Sequence, residues 1–289
     1  MKKSEYAFEI INYIFLAFVG FITVYPLIYT ASISLSSMAE AAKNGLHLYP
    51  KEISFVSYQM VFSNSSLYTG YANTILRTVF GTAFSLIITA MTAYPLSKSY
   101  LPNLKLFSII VLFTMIFEGG MIPNYLLIKK LKLIDNRLVY ILPCAVSAYN
   151  IIIMKSFFKS LPESLSESAK IDGANDFRIL WSIILPVSKP VLATVGLWTA
   201  VMHWNAWLDG MLYINDNSKQ ILQIFLQRIV KEGQSTLLER GITDPDVTSF
   251  TPETIKSATI IVTILPILIV YPFVQKYFVK GIMLGSVKG

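Results

Sequence analysis

The sequence has little charge, one cysteine and few histidines. Only 14% of its 289 residues are charged and 54% are hydrophobic, whereas soluble domains average about 25% charged residues. With a mean hydropathy of +0.57, the composition excludes a disordered chain and is hard to reconcile with a water-soluble globule. The single cysteine, Cys144, excludes an intrachain disulfide.

The residue patterns of common active sites are also missing. The two histidines, His47 and His203, belong to no set of residues with metal-ligand spacing. The sequence has no nucleophile elbow and no Rossmann glycine pattern, and no Gly-x-x-x-x-Gly-Lys-Ser/Thr element for ATP. Together these absences argue against an enzyme active site on this chain. The net charge of +7 is better explained by basic residues flanking membrane segments than by nucleic acid, which requires a basic stripe on a polar surface.

What the sequence does contain is long uncharged intervals. A transmembrane helix needs about 20 apolar residues, and six intervals are long enough, the fourth only just. They are Glu9 to Glu40, Arg77 to Lys98, Leu106–Ile128 (interrupted by Glu118), Arg137 to Lys155, Lys189 to Asp209, and Lys256 to Lys276. Because backbone groups in lipid must be bonded within the segment, we expect an all-α integral membrane protein with six transmembrane helices.

Six spans place both termini on one side of the membrane. Lys and Arg divide 12 to 12 between the two sides, but one set is packed into shorter segments, which determine orientation. We therefore expect both termini, and a loop at 155–189, in the cytoplasm. A larger loop at 210–256 would lie outside.

The inner loop has the pattern of two short helices joined by a tight turn. Ser160 and Glu163 form a capping box, which predicts a helix over Leu161–Asp172. Gly173 then supplies the left-handed residue that ends it, and a second helix over Asn175–Ile184 follows. The alternative is an ordinary amphipathic loop.

This loop resembles the EAA loop of ATP-binding-cassette importer permeases. The matching elements are Glu167-Ser168-Ala169, Asp172-Gly173-Ala174, Ile183 and Leu185-Pro186 at the family spacing, with Ser168 replacing an alanine. Trp204-Asn205-Ala206-Trp207 is similar to an element of the carbohydrate branch. The residues from Gln275 to Gly289 are similar to the tail of the maltose-type second permease, and overall the chain resembles the Gram-positive complex-oligosaccharide and aldouronate uptake systems.

The resemblance implies a type I ABC importer permease. Residues 1–69 would form the first helix and an outer loop, residues 70–280 the transmembrane domain, with the EAA loop at 160–189, and residues 281–289 a cytoplasmic tail. The subunit would translocate an oligosaccharide by alternating access in the plasma membrane of a Gram-positive bacterium. Its partners would be a second homologous permease, two copies of a cytoplasmic ATPase that bind ATP and magnesium, a lipid-anchored extracellular binding protein and membrane lipid, but no nucleic acid.

The resemblance also assigns residues to contacts with the ATPase. In the coupling loop they are Glu167, Ser168, Ala169, Asp172, Gly173 and Ala174. The tail residues are Gly285, Ser286, Val287, Lys288 and Gly289, for which a frayed terminus is the alternative.

Polar and aromatic residues inside or beside the spans are candidates for the substrate path, because polar groups in lipid are costly and usually functional. These candidates are Glu118, Trp204, Asn205, Trp207 and Asp209. Interfacial anchoring and helix packing are the alternatives. At the level of the whole protein, the alternatives are an ATP-driven importer of another solute, an ion-coupled transporter, and a membrane enzyme acting on lipid-linked sugars.

Overall fold

The computed structural model describes residues 3–239 and 251–286, and within these ranges the regular structure is helical. The α-helices are α1 (Lys3–Ser34), α2 (Met38–Ala41), α3 (Val56–Ser63), α4 (Ser65–Ser97), α5 (Leu104–Ile116), α6 (Met121–Lys130), α7 (Ala148–Ser160), α8 (Ser164–Ile171), α9 (Asp176–Ile179), α10 (Leu185–Val187), α11 (Lys189–Asn205), α12 (Leu208–Tyr213), α13 (Leu222–Glu239) and α14 (Pro252–Ser286). Two 3₁₀ turns and one π-helix accompany them. The all-α prediction is confirmed.

Three helices are long and apolar enough to cross a membrane: α1 through Phe8–Ser34, α4, and α14 through Pro252–Val270. Two more spans arise if bent helix pairs each count as one. One pair is α5 with α6, bent by 110°, and the other is Asp176–Val187 with α11, bent by 85°. The described residues thus contain three to five such spans, and the predicted six are not confirmed.

The fourth predicted span is not a continuous helix. It consists of a 3₁₀ turn at Arg137–Tyr140, an irregular stretch at 141–147, and α7, which has 13 residues. At 1.5 Å per residue α7 is about 20 Å long, too short for a hydrocarbon core of about 30 Å. Pro143 has no amide to donate and disfavours helix at this point, and Ser147 caps the start of α7 by accepting a hydrogen bond from the Asn150 amide.

The inner loop has the predicted two-helix form with one correction. The capping box is wrong: Ser160 ends α7 and its hydroxyl donates to the carbonyl of Phe157 instead, while Glu163 makes no capping hydrogen bond. The predicted turn at Gly173 is confirmed, since its φ is +79° and two turn-closing hydrogen bonds flank it, from Gly173 to Lys170 and from Ala174 to Ala169.

The second loop helix is also confirmed. Asn175 caps α9 by accepting a hydrogen bond of 2.8 Å from the Arg178 amide. The helix then continues as a π-helix over Leu180–Ile184, and α10 and α11 follow.

The chain divides into two compact units. One comprises Met1–Leu67 and Phe225–Pro266, and the other comprises Tyr68–Ile224 and Ile267–Gly289. The second unit contains the inner loop and two hydrophobic cores. The larger core joins α4, α7 and α11 through buried residues that include Ala93, Met154 and Val195. The other packs the Arg137–Tyr140 turn against α12.

Candidate functional site

The tip of the inner loop presents apolar side chains to the outside of the chain. Ile171 is 86% exposed and Phe177 is 61% exposed. Large apolar side chains that cluster at such exposure usually mark a contact surface. Among the coupling-loop residues expected to contact an ATPase, Ala174 is half-buried and four are exposed, namely Glu167, Ser168, Asp172 and Gly173. Ala169 is buried and packs into the larger core of its own chain.

Behind this tip, polar side chains fasten both loop helices to the segment that follows α4. The Lys98 ammonium donates a hydrogen bond of 2.9 Å to the Ser166 hydroxyl, and Tyr100 donates one of 3.0 Å to Asp176. Lys170 contacts both Tyr100, at 3.1 Å, and Asp176, at 3.3 Å. These five residues, here called the brace, tie α8 and α9 to the C-terminal end of α4.

The brace lysines sit in different environments. A hydrogen bond with Tyr100 raises the pKa of Lys170, and its ammonium also lies 4.2 Å from the Tyr100 ring centroid. Burial lowers the pKa of Lys98 from its ordinary value. The contacts of Lys170 thus stabilise its charged form, whereas burial destabilises the charged form of Lys98.

In the N-terminal half of α4, Arg77 is completely buried. Nη1 of the guanidinium lies 3.1 Å from one carboxylate oxygen of Asp209, and Nη2 pairs with the second oxygen. Nη1 also donates to the Ala206 carbonyl, and Nε donates to His203. It lies 5.0 Å from the Tyr140 ring centroid. Asp209, a candidate for the substrate path, is therefore paired within its own chain.

The other substrate-path candidates are placed as follows. Trp204 is buried and its ring lies 6.4 Å from that of Tyr71, and Trp207 packs against the core that contains Tyr140. Asn205 is exposed, but its side-chain amide donates to the Val201 carbonyl.

Glu118 is exposed in the bend between α5 and α6. No hydrogen bond or ion pair within the described residues joins it to the cluster around Arg77. Of the tail candidates, Gly285 and Ser286 end α14, while Val287, Lys288 and Gly289 lie outside the described residues.

The structure also contains a cavity of about 410 Å³ at the start of α7, which the sequence patterns did not predict. Its lining residues come from α4, from the irregular stretch with the first turn of α7, and from α11. They are Ser85, Cys144, Val146, Ser147, Tyr149, Asn150, Trp198, Thr199 and Met202. The cavity depends on the break in the helix before α7. The sequence signals for this break are Pro143 and the capping residue Ser147, which lie in an interval barely long enough to span the membrane.

The chain resembles known transport proteins along its whole length. Residues 6–284 match the family described as the binding-protein-dependent transport system inner membrane component. Two similar proteins come from Bacillus subtilis (strain 168). One is the polygalacturonan/rhamnogalacturonan transport system permease protein YtcP, 40% identical over 98% of each chain, and the other is Protein LplC, 42% identical over 99% of this chain and 97% of the relative.

A solved structure agrees with these relatives. A chain of a bacterial ABC transporter involved in the import of the acidic polysaccharide alginate superimposes with a TM-score of 0.90 and 38% identity, covering 96% of this chain and 99% of that one. The family match, the two relatives and this structure each extend over nearly all of the sequence. The chain therefore belongs to the inner membrane components of binding-protein-dependent transport systems.

Proposed function

We propose that this chain is the permease subunit of an ATP-driven importer that moves an oligosaccharide across the plasma membrane by alternating access. The observation that supports this most directly is the inner loop, whose exposed apolar tip is fastened from behind by the brace. Family membership favours this function over an ion-coupled transporter.

The loop has the properties expected of a rigid connection between an ATPase and the membrane helices. Its exposed face offers Ile171 for apolar contact and Glu167 for charge-assisted hydrogen bonds to an ATPase. Shifting a two-state protein from 1:99 to 99:1 takes about 5.5 kcal/mol of differential binding. A loop held by side chains on two sides transmits such a bias to the helices, whereas a loosely attached loop dissipates it.

The assembly that we propose contains a second homologous permease, two ATPase subunits that bind ATP and magnesium, and a lipid-anchored extracellular binding protein. Both termini lie in the cytoplasm, and α7 completes the fourth of six crossings together with the irregular stretch before it. The tail from Gly285 to Gly289 contacts the ATPase.

The relatives support an oligosaccharide cargo. YtcP is named for polygalacturonan and rhamnogalacturonan transport, and the alginate importer acts on another acidic polysaccharide. We therefore propose a saccharide cargo for this chain, in preference to another solute.

Uptake energetics test the proposal. Cells that express this chain with its partner permease, ATPase and binding protein take up labelled trigalacturonate, a member of the proposed cargo class. Depleting ATP stops uptake, whereas collapsing the proton gradient at constant ATP leaves it intact. Uptake that persists without ATP and stops when the proton gradient collapses contradicts the proposal.

A further inference from the structure

The cavity at the start of α7 lies at mid-depth in the proposed membrane crossing. Thr199 stands ten residues after Lys189 and ten before Asp209, which corresponds to about 15 Å of helix toward the first charge. On α4, Ser85 lies between Arg77 and Lys98, eight residues after the first and 13 before the second. The cavity is therefore far from both ends of these two spans.

Irregular backbone forms one side of this cavity. Cys144, Val146 and Ser147 belong to the stretch between the 3₁₀ turn and α7. Non-helical backbone at membrane depth is tolerated only where it is covered by protein or lines a water-filled cavity. A position facing lipid is thus excluded for this stretch, which is either covered by protein or lines a hydrated cavity.

The side chains that line the cavity suit a sugar. Tyr149 and Trp198 lie with ring centroids 5.8 Å apart at an angle of 39°, and they present aromatic faces on which the apolar face of a pyranose ring packs. Asn150 donates a hydrogen bond to Thr199, at 3.2 Å between Nδ2 and Oγ1, and this bond holds α7 against α11. The volume lies within the range of about 300–1,000 Å³ that is usual for small-molecule sites.

One polar group in the wall lacks a partner. Ser85 is 1% exposed and lines the cavity, and no hydrogen bond joins its hydroxyl to another described residue. A hydroxyl both donates and accepts, so a hydroxyl of a bound sugar would form a hydrogen bond with it.

The start of α7 adds a preference for negative charge. The first amides of a helix have no acceptors within the helix, and its N-terminus has a partial positive charge. Ser147 accepts from the Asn150 amide, and the cap and first turn themselves line the cavity. A carboxylate placed here gains from both effects, as anions do at discontinuous helices within membranes.

We propose that this cavity is a saccharide subsite in the transport route, in which one uronic acid unit packs on Tyr149 and Trp198 with its carboxylate at the start of α7. The inference rests on the proposed function, and it adds a site, a set of residues and a charged sugar class to it.

The chain contains its own reporter for this site, because Cys144 is its only cysteine and lines the cavity. In the assembled transporter, alkylation of Cys144 by N-ethylmaleimide is followed by mass spectrometry of its peptide. ATP and the binding protein are present throughout, with or without trigalacturonate. We expect trigalacturonate to slow alkylation at least fivefold, whereas its methyl ester, which lacks the charge, protects much less.

Variants separate contact with the cargo from a structural role. Trp198→Ala removes the protection and raises the KM for uptake about tenfold, as expected for the loss of one aromatic contact, with little change in kcat. Trp198→Phe retains both because an aromatic face remains. Phe18→Ala, at an exposed position of α1, serves as the control and changes neither quantity.

The outcomes distinguish this inference from the proposed function. If the wild-type transporter imports no saccharide, the proposed function is wrong. If it imports trigalacturonate while the rate of Cys144 alkylation and the KM of Trp198→Ala stay unchanged, only the subsite is wrong. Equal protection by the methyl ester overturns the assignment to an acidic sugar.

Discussion

Arg77 and Asp209, 132 residues apart in the sequence, form a two-pronged ion pair in which the arginine is completely buried. Each of the two terminal guanidinium nitrogens faces one carboxylate oxygen. The pair joins α4 to the first turn of α12. Because a buried charge without its partner is expensive, the two residues depend on one another.

Removing Asp209 alone should destabilise the protein strongly. We expect Asp209→Ala to lower the free energy of unfolding by about 3–5 kcal/mol, because it leaves Arg77 uncompensated. The double variant Arg77→Met, Asp209→Leu should recover most of this loss. Urea unfolding in detergent, followed by tryptophan fluorescence, measures the difference.

An exposed ion pair provides the matched control. Lys219 lies 3.1 Å from Asp216 with both side chains partly in solvent, so Lys219→Ala should cost less than about 1 kcal/mol. A loss for Asp209→Ala no larger than that for Lys219→Ala would show that the buried pair has no special role.

Gly81 permits a close approach of α4 to His203. A Cβ built at Gly81 would lie 2.5 Å from Nε2 of the buried His203 ring. We expect Gly81→Ala to destabilise the protein by about 1–3 kcal/mol through overpacking. His203→Ala should relieve part of this loss in the double variant.

The control for this prediction is Gly20→Ala in α1, where a Cβ would meet nothing within 4 Å. It should be neutral or slightly stabilising, because alanine favours a helix by about 1 kcal/mol over glycine. Similar melting temperatures for both single variants would refute the steric argument.

The turn at Gly173 should be required for transport but not for insertion. Its φ of +79° is out of reach for proline, which fixes φ near −65°. Gly173→Pro should therefore abolish nearly all uptake, while membrane fractionation shows normal amounts of the protein. Gly173→Asn, which tolerates the left-handed region, should retain most of the uptake. Normal uptake by Gly173→Pro would contradict a coupling role for the loop.

The brace should affect coupling rather than assembly. We expect Lys98→Met to lower the amount of saccharide imported per ATP hydrolysed by about tenfold, since α8 loses its hydrogen bond through Ser166 and the bias at the loop must be transmitted rigidly. The measurement compares uptake and ATP hydrolysis in the same proteoliposomes. Lys105→Met, at an exposed position of α5, is the control, and equal ratios in both variants would remove the brace from the mechanism.

Local patterns predicted the inner loop well. The turn at Gly173 and the cap at Asn175 depend on neighbours within a few residues, and both have the expected geometry. The capping box failed because Ser160 is the last residue of α7, where its hydroxyl donates to the Phe157 carbonyl, and the next helix begins only at Ser164. The sequence pattern does not show which of the two helices contains Ser160.

Nonlocal contacts could not be predicted in the same way. In the sequence, Arg77 marks only the charged end of a span. Its burial depends on Asp209, His203 and Tyr140, which are distant in the chain. The cavity likewise requires three elements to meet where α7 begins. Pro143 indicated that the helix is interrupted, but only the packing of Trp198 and Ser85 shows what that interruption encloses.

The brace and the buried ion pair described above are both attached to α4. Lys98 of the brace directly follows α4, and Arg77 lies 21 residues earlier, about 30 Å away along the helix axis. In the proposed transporter, a displacement of the inner loop is therefore transmitted along α4 to the ion pair. We expect ATP binding by the partner ATPase to change the surroundings of Asp209, although no nucleotide reaches it.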